Sequence, residues 1–379
     1  MSAFKPTSII NKLIDVGVLI QVPGSNKMYF RFRCFMEYFL AKQMNTSEDF
    51  FNHVLSEANY LDFSNVINYY TGFTCDKVSV LNKIITRLEI EYLDLSTILG
   101  ETIKVDDYFI RKGLLEAIDN PELDYLSPHK HTVKEDDKIS NALLQQSEQR
   151  VQTGDKQKKH VNSFRVYSEL LILAMDVLKN TEEVKESGFK LKLDDDENRT
   201  KTECFRIVLE NSILYAIIFY IVCMKYIKKN ENDASKQEKV KELSMCMFLL
   251  PVLHEELLRD HLGSVKLLDP IKDMLEADIK NPKSELQQFM TTFMYGDLKG
   301  KNYLDYIKSF IISSKRAFIR DSCFLKLQQY YYNSNDSKLD RKLAEMMADL
   351  YISSHKSKRN EKHFNKGVIT ERFLKNKGV

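Results

Sequence analysis

The clearest β character in the chain lies in residues 17–41, which read GVLIQVPGSNKMYFRFRCFMEYFLA. Residues 18–22 are apolar and β-prone, which predicts a strand, and the Pro-Gly-Ser-Asn sequence at 23–26 has the composition of a turn. Residues 28–32 then predict the returning strand of a hairpin. Phenylalanines alternate with arginines in that strand, so we expect the phenylalanines on a buried face and the arginines on an exposed face.

Helices are predicted on both sides of this hairpin. Apolar residues at helical spacing predict a short helix over 9–16, and Gly17 is expected to end it. A second helix is predicted over 35–44, where Phe35 and Phe39 are expected to hold the helix against the hairpin. The order of helix, hairpin and helix is that of the closing part of a winged-helix domain.

The rest of the chain predicts helices almost throughout. Only 12 Gly and 7 Pro occur among 379 residues, which is few for a β-rich protein with many tight turns. Apolar stripes with helical spacing predict helices over 50–58, 63–71, 78–91, 108–118, 164–179, 204–229, 236–260, 265–278, 285–295, 303–332 (with a break near 313–314) and 339–354. The predicted fold class is mostly all-α, a multi-helical bundle or an irregular helical-repeat array, with a short N-terminal β-hairpin from a truncated winged helix.

A shift in composition suggests the domain organisation. Residues 127–160 are polar and leave few apolar side chains to bury, which is typical of a linker or a mobile loop. The predicted parts are a partial winged helix over 1–45, a helical domain over 46–126, the linker over 127–160, a C-terminal helical domain over 161–355 and a basic tail over 356–379. We expect the basic tail to be a solvated, disordered end.

Charge and cysteine usage restrict the compartment and the partners. The formal net charge is +2, so no overall basic field points to nucleic acid or to anionic lipid as a partner. The six cysteines are dispersed without a C-x-x-C pair, which is typical of reduced core residues and predicts a cytoplasmic protein. The most apolar run, 213–224, is shorter than the ~20 residues of a membrane span and predicts a core helix.

The sequence shows no pattern of catalytic or metal-binding residues. It lacks the G-x-x-x-x-G-K-[ST] phosphate loop, the G-x-G-x-x-G turn and the G-x-S-x-G elbow. The pair His254-Glu255 falls short of the zinc-protease motif because Leu258 stands where a second histidine is needed, so we expect the pair on a solvated helix face. We therefore predict no catalytic, cofactor-binding or metal-binding residue, and no enzyme activity, for this chain.

Residues 29–41, YFRFRCFMEYFLA, resemble a segment of NACHT-type STAND NTPases, in which the winged-helix domain ends in a pattern of the form F-R-[HY]-x-x-F-x-E-Y-[FL]-x-A. The matching residues are Phe30, Arg31, Phe35, Glu37, Tyr38, Phe39 and Ala41, and Phe32 replaces the family's usual His or Tyr. Residues 9–20 look like the family's helix and first wing strand, and residues 68–72 are similar to the element that opens its next helical region. In the family, the motif residues look structural and not catalytic.

This resemblance implies a position within a larger protein. In STAND proteins the nucleotide-binding domain precedes the winged helix, and a C-terminal helical region senses a trigger. The chain then corresponds to the C-terminal part of such a protein, as an expressed fragment or as one half of a split system. ATP and Mg are expected only in an N-terminal NTPase domain, and no cofactor is expected in this chain.

The implied function is that of a non-catalytic sensor and signal-coupling region, of the kind found in antiphage defence. The implied partners are the NTPase module and a protein trigger, with phage proteins among the candidates. Neither a membrane nor nucleic acid is expected as a partner. The full-length protein is expected to assemble into an oligomer when the trigger binds.

Two alternatives stay open at the level of the sequence. The first is a winged-helix DNA-binding regulator in which Arg31 and Arg33 on the wing contact DNA phosphates. The same two arginines can instead contact a partner protein. The second alternative is a helical nuclease effector whose active site carries no recognised motif.

Overall fold

The computed structural model of the protein describes residues 6–21, 27–74, 77–99, 163–184, 199–230, 232–280, 284–355 and 365–376. Within these ranges the chain is helical apart from one two-stranded antiparallel sheet, which confirms the predicted mostly all-α fold with a short N-terminal hairpin. The predicted helix over 108–118 and the predicted linker over 127–160 lie outside the described residues.

In chain order the elements are α1 (Pro6–Asp15), β1 (Leu19–Gln21), β2 (Met28–Phe30), α2 (Arg33–Met44), α3 (Glu48–Val54), α4 (Ser64–Thr74), α5 (Val78–Leu99), α6 (Ser163–Asn180), α7 (Lys201–Asn230), α8 (Gln237–Leu262), α9 (Leu268–Lys280), α10 (Glu285–Asp297), α11 (Tyr303–Ser313), α12 (Ala317–Asn333), α13 (Ser337–Ser354) and α14 (Lys366–Asn376). Short 3₁₀ turns, Ala234–Lys236 and Val265–Leu267, precede α8 and α9.

The chain enters the hairpin through a glycine. Gly17 has a φ of +73°, in the left-handed region that glycine adopts without steric cost, and this ends α1 as predicted. The N–H of Val18 donates to the carbonyl of Leu13 at 2.8 Å, which satisfies a carbonyl at the end of the helix. Strands β1 and β2 then pair antiparallel, with Leu19 opposite Phe30.

The structure divides into two compact units. Of the described residues, those within 1–101, 166–215 and 257–274 form unit one, and the others form unit two. Both units are therefore built from separate parts of the chain. The domain boundaries given by the sequence stay predictions.

The core of unit one includes a stripe of α5 that the sequence pattern predicts. The fully buried side chains of this helix include Leu81, Ile84, Ile85 and Leu88. Their spacing of three and four residues places them on one face, and each contributes about 1.5–3 kcal/mol by leaving water. Tyr167 of α6 is also buried, and its hydroxyl donates to the backbone carbonyl of Asn211 at 2.9 Å. The buried hydroxyl is thus satisfied.

Unit two is organised around α10, a helix that is buried on nearly all sides. Ser284 caps this helix by accepting a hydrogen bond from the N–H of Gln287 at 3.0 Å. Phe289 and Phe293 are fully buried, with ring centroids 4.8 Å apart. Helices α11 and α12 pack on α10. The predicted break near 313–314 is confirmed, since α11 ends at Ser313.

The C-terminal segment contains a packed helix where the sequence predicts a solvated end. Ile369 of α14 is fully buried and Phe373 is 6% exposed. The hydroxyl of Tyr331 donates to the carbonyl of Phe373 at 2.9 Å. The prediction of a disordered tail is therefore wrong for residues 366–376. Two apolar residues four apart suffice to dock one face of a short helix, although the segment as a whole is strongly basic.

Helix α7 holds the most apolar sequence of the protein. Its stretch Lys201–Cys223 spans 23 residues with a mean hydropathy of 1.7, which is long and apolar enough to cross a membrane by length and composition. Of that window, 61% is buried inside the protein. Core helices of soluble proteins pass the same test, so this feature is weak evidence of a membrane span.

Gly300, between α10 and α11, is expected to be intolerant of any side chain. A Cβ at this position would overlap the buried ring of Tyr295. The Tyr295 hydroxyl donates to the carbonyl of Lys301 at 3.1 Å and its ring meets Tyr306 edge-on at 5.5 Å, so the ring has little freedom to move. We expect Gly300→Ala to lower the free energy of unfolding by about 1–3 kcal/mol in a urea titration.

Gly72→Ala is the matched control for that prediction. Gly72 lies inside α4, and a Cβ there would meet the side chain of Asn180 at an ordinary contact distance of 3.7 Å. Alanine is up to about 1 kcal/mol more favourable than glycine inside a helix, so this variant should be as stable as the parent or more stable. Equal losses at both positions would contradict the steric argument.

Candidate docking surface

Helix α2 carries the motif residues from Phe35 to Ala41, and its buried side chains form a narrow stripe. The buried side chains of α2 are Glu37, Ala41 and Met44, which are four and three residues apart and so share one face. This helix packs against α3 and α4. Ala41 is fully buried, and its small side chain allows the neighbouring elements to approach closely.

Glu37 is the polar anchor of this stripe. It is 6% exposed, and its Oε1 accepts a hydrogen bond from Arg33 Nε at 2.7 Å. The same oxygen accepts a second bond from Asn65 Nδ2 of α4 at 2.9 Å. A buried carboxylate needs such partners, and bonds to a charged group are stronger than neutral ones. Glu37 therefore ties α2 to α4, which agrees with a structural role for this motif residue.

Aromatic contacts hold α2 to the hairpin and to α4. The rings of Phe30 and Phe39 stack with centroids 5.7 Å apart, which confirms that Phe39 holds the helix against the hairpin. Tyr38 meets Phe73 of α4 edge-on at 5.1 Å. Aromatic pairs at these separations contribute about 0.5–1.5 kcal/mol beyond the burial of their area.

Phe32 departs from the predicted alternation. It is 54% exposed, so the prediction that both phenylalanines of the returning strand lie on a buried face is wrong at this position. Strand β2 ends at Phe30, and the backbone bends at Arg31 and Phe32 before α2 begins, so the period of two no longer applies. Phe35 packs edge-on against Phe32 at 5.9 Å and does not reach the core.

The remaining apolar side chains of this corner are open to solvent. We call this surface the docking face and define it by the exposed residues Met28, Tyr29, Phe32, Phe35, Met36, Tyr38, Phe39 and Tyr69, which are 36–54% exposed. Single exposed apolar residues are normal in a folded protein, whereas a group of large ones marks an interaction site. Most of them lie within a short stretch of the motif itself.

The docking face is also basic. Residues 27–44 contain four cationic side chains and a single carboxylate, that of Glu37, which is buried. The Arg31 guanidinium lies 5.5 Å from the ring centroid of Phe32, and Lys42 Nζ lies 4.3 Å from that of Phe73. Cations over aromatic rings are favourable and keep the rings partly covered. The face is therefore suited to an apolar partner surface with an acidic rim.

A network of polar side chains joins α4, which carries Tyr69 of the docking face, to α6. Asn180 Nδ2 of α6 donates to the carbonyl of Asn68 at 2.9 Å and to its Oδ1 at 2.7 Å. The same nitrogen donates to Thr71 Oγ1 at 2.9 Å. Asn68 Nδ2 in turn donates to Asp176, whose other oxygen lies 2.8 Å from His261 Nδ1. Helix α4 is thus held in a defined position, beside a pocket of about 500 Å³ that Glu37, Asn65, Tyr69 and Phe73 help to line.

The pair His254-Glu255 lies in the interior of unit two and not on a solvated helix face. Glu255 is fully buried and His254 is 3% exposed, so the prediction from the sequence is wrong. Lys326, also fully buried, lies with its Nζ 2.5 Å from Glu255 Oε2 and 3.0 Å from Asp297 Oδ2. A partner on a distant helix thus compensates the carboxylate, which no local spacing of α8 reveals.

Tyr330 completes this buried charged cluster. Its hydroxyl donates to the carbonyl of Phe293 at 3.2 Å, and a Cβ on Gly296 would come within 2.8 Å of that hydroxyl. Burial, together with the nearby carboxylates of Asp297 and Glu255, raises the pKa of Tyr330 well above its usual range. Because Lys326 and Glu255 are closed to solvent, we assign the cluster to stability and not to a reaction on a substrate.

No group of three or more metal-ligating side chains occurs among the residues that the structure describes. A helical ribonuclease would need an Arg and a His four to six residues apart on one helix, and Arg359 and His363 come nearest to that spacing in the sequence. Both lie outside the described ranges, and so does the acidic run at 194–197, which the sequence predicts to be a solvated loop.

Within the described residues, the chain is mostly α-helical and carries an aromatic and basic exposed face beside a short hairpin. Comparison of the chain with protein-family models, with curated proteins and with solved structures found no match in any of the three.

Proposed function

We propose that this chain is the non-catalytic sensor and signal-coupling region of a STAND-type NTPase, and that the docking face is its contact with the NTPase module. The observation that carries the proposal is the division of the motif residues. Glu37 and Ala41 are buried and fix α2, whereas Phe35, Tyr38 and Phe39 remain exposed beside Arg31. A purely structural corner would bury its aromatic residues, and a coupling surface needs them exposed in the separated chain.

The composition of the face supports a protein partner. Tyrosine, phenylalanine, methionine and arginine are the residues enriched at the centres of protein interfaces, where a few such anchors supply most of the binding energy. Tyr29 and Phe32 are the most exposed of the aromatic and methionine side chains that define the docking face. In the proposed assembly this face binds the NTPase module, while a protein trigger, with phage proteins as candidates, binds elsewhere on the helical region.

In this proposal the chain contributes recognition, and ATP and Mg act only in the NTPase module. The trigger binds one conformation of the whole protein better than another and so shifts the population toward the assembling state. The expected setting is the cytoplasm of a cell under phage attack, and the expected outcome is oligomerisation of the full-length protein.

The test uses the protein that joins this chain to its NTPase module. Oligomerisation in the presence of ATP and an extract of phage-infected cells is measured by light scattering. Tyr29→Ser combined with Phe32→Ser is expected to weaken coupling while leaving the helical content unchanged, since both side chains are exposed. The control removes two exposed apolar side chains elsewhere in unit one, Ile90→Ser with Val265→Ser. Unchanged oligomerisation in the Tyr29→Ser, Phe32→Ser variant would refute the proposal.

DNA binding is the second candidate, and the exposed cations of the face favour it. Arg31 is exposed near the hairpin, although Arg33 is engaged with Glu37 at 2.7 Å. A regulator of this kind would lose affinity for duplex DNA steeply as salt rises from about 50 to about 200 mM. The slope of log affinity against log salt concentration would be roughly minus the number of phosphates that the protein neutralises. Absence of binding at the lower salt concentration would remove this candidate.

A further inference from the structure

The docking face continues into a groove of unit one that lies between α2 and α4, two helices that pack on each other. This groove includes the pocket of about 500 Å³, whose lining contains Glu37 of α2 and Asn65, Tyr69, Gly72 and Phe73 of α4. Asn65, Tyr69 and Gly72 are four and three residues apart and are all exposed, so they form one open face of α4. Because the groove belongs to the docking face, what we infer from it rests on the proposed function.

The first observation that points to an occupant of the groove is Gly72. This residue lies inside α4, where glycine is less favourable than alanine. Its φ is not in the left-handed region, and among the described residues a Cβ there would meet only the side chain of Asn180, at an ordinary 3.7 Å. Neither the backbone nor the packing of this chain therefore requires glycine. A second backbone that crosses α4 at close range does require it, because a side chain would hold the two elements apart.

The second observation is the charge at the edge of the groove. Lys42 Nζ of α2 lies 4.3 Å from the ring centroid of Phe73, which lines the pocket. Among the described residues, Lys42 forms no ion pair, not even with Glu48 and Asp49 at the start of the neighbouring α3. Helices α2 and α4 together contain a single carboxylate, that of Glu37, which is buried. A carboxylate from outside the chain is therefore the group that would pair with Lys42.

Aromatic side chains form the apolar part of the groove. Tyr38 and Phe39 of α2 and Tyr69 of α4 are exposed, and Tyr38 meets Phe73 edge-on at 5.1 Å. Aromatic side chains are common anchors of protein interfaces, and those already fixed by neighbours lose little freedom on binding. The groove thus offers an apolar surface with a cation at its edge, which matches one face of an amphipathic, acidic helix.

Two arguments favour a helix of another module over a second copy of this chain. A groove between two packed helices has the shape into which a third helix fits. In a pair of identical chains, Arg31, Arg33 and Lys42 would face the same cations of the other copy, and α2 and α4 have no exposed carboxylate to pair with them. Like charges that face each other across an interface are unfavourable.

We propose that an amphipathic helix of the NTPase module lies in the groove between α2 and α4. Its backbone crosses α4 over Gly72, where a small residue of the helix allows the close approach. An Asp or Glu of the helix pairs with Lys42, and its apolar residues contact Tyr38 and Tyr69. The unexplained glycine, the cation without an ion pair and the exposed aromatic side chains agree on this class of partner.

The test follows Cys34 in the protein that joins this chain to its NTPase module. Cys34 is exposed and lies four residues before Tyr38 and eight before Lys42, so it shares the face of α2 that the helix covers. Its alkylation by iodoacetamide, measured by mass spectrometry, should be about 10-fold or more slower in the joined protein than in this chain alone, because the closed state excludes the reagent.

Two variants address the two contacts. Gly72→Ala, which is expected to be as stable as the parent, should raise the alkylation rate of Cys34 in the joined protein about 5-fold or more, toward that of this chain alone. Lys42→Glu should raise it to a similar extent, because it opposes two carboxylates. Lys308→Glu, on the exposed face of α11, is the matched control and should leave the rate unchanged.

A carbodiimide, which joins an amine to a carboxylate without a spacer, identifies the partner of Lys42. We expect a link from Lys42 to an Asp or Glu of the NTPase module. Lys42→Arg keeps the positive charge but lacks the amine, so this variant should protect Cys34 like the parent and give no link at position 42.

The outcomes separate this inference from the proposed function. If Cys34 reacts as fast in the joined protein as in this chain alone, the docking face is not covered, and both are refuted. If Cys34 is protected and stays equally protected in Gly72→Ala and Lys42→Glu, this inference alone is overturned. A link from Lys42 to a second copy of this chain in place of the NTPase module overturns it as well.

Discussion

Replacement of Lys326 by methionine is expected to lower the free energy of unfolding by about 3–5 kcal/mol. Lys326 is fully buried, and its ammonium group lies between the carboxylates of Glu255 and Asp297 at 2.5 and 3.0 Å. Methionine fills a similar volume, so packing is largely conserved. The loss arises because two carboxylates are left in the interior without their cation, and a buried charge without a partner is strongly unfavourable.

Two further variants show whether the loss of stability in Lys326→Met comes from charge or from packing. Lys308→Met makes the same chemical change on the exposed face of α11 and should alter stability by less than about 0.5 kcal/mol. Adding Glu255→Gln and Asp297→Asn to Lys326→Met removes the uncompensated charges and should restore much of the loss. Urea midpoints, followed by circular dichroism, give the comparison. A triple variant that is no more stable than Lys326→Met alone would contradict the electrostatic explanation.

Local patterns in the sequence were sufficient for most of the helices. The stripe at Leu81, Ile84 and Leu88 has helical spacing, and the structure buries all three. Gly17 ends the first helix as its conformational freedom predicts, and the break near Ser313 is real. These features depend on residues within one or two turns of each other, which is the range over which periodicity and capping act.

Features that depend on distant residues could not be read in this way. Glu255 is charged and lies beside other charged residues, so its local surroundings indicate a solvated face, and only the distant Lys326 makes its burial possible. The same applies to α14, where Ile369 and Phe373 are buried in a basic segment because other helices of unit two receive them. The prediction that Phe32 is buried was wrong for a different reason, since the strand ends two residues earlier than the alternation of the sequence suggests.

The docking face has one feature that local sequence patterns predict and one that depends on a distant residue. Three of its residues, Phe35, Tyr38 and Phe39, belong to the family motif, and the sequence predicted correctly that Phe39 holds α2 to the hairpin. The sequence did not indicate which motif residues stay exposed. That division depends on Asn65 of α4, whose amide meets Glu37 across a separation in sequence that no local pattern covers.

Glu37→Gln is expected to lower the free energy of unfolding by about 1–2 kcal/mol, because hydrogen bonds to a neutral acceptor are weaker than hydrogen bonds to a carboxylate. The variant keeps the shape of the side chain and retains a carbonyl oxygen that can accept from both Arg33 and Asn65, but it removes the negative charge that strengthens both bonds. Because Glu37 is 6% exposed, water does not compensate for the weaker bonds.

The two partners of Glu37 should contribute unequally, which a double-mutant cycle measures. Arg33 is 53% exposed at its side chain, so Arg33→Ala is expected to cost less than about 1 kcal/mol. Asn65→Ala should cost more, and its coupling to Glu37→Gln should exceed that of Arg33→Ala, since the contact from α4 is what fixes α2. If Arg33 shows the larger coupling, α2 is held by its own first turn and not by α4. The exposure of the docking face would then depend on α2 alone, and variants of α4 should leave binding of the NTPase module unchanged.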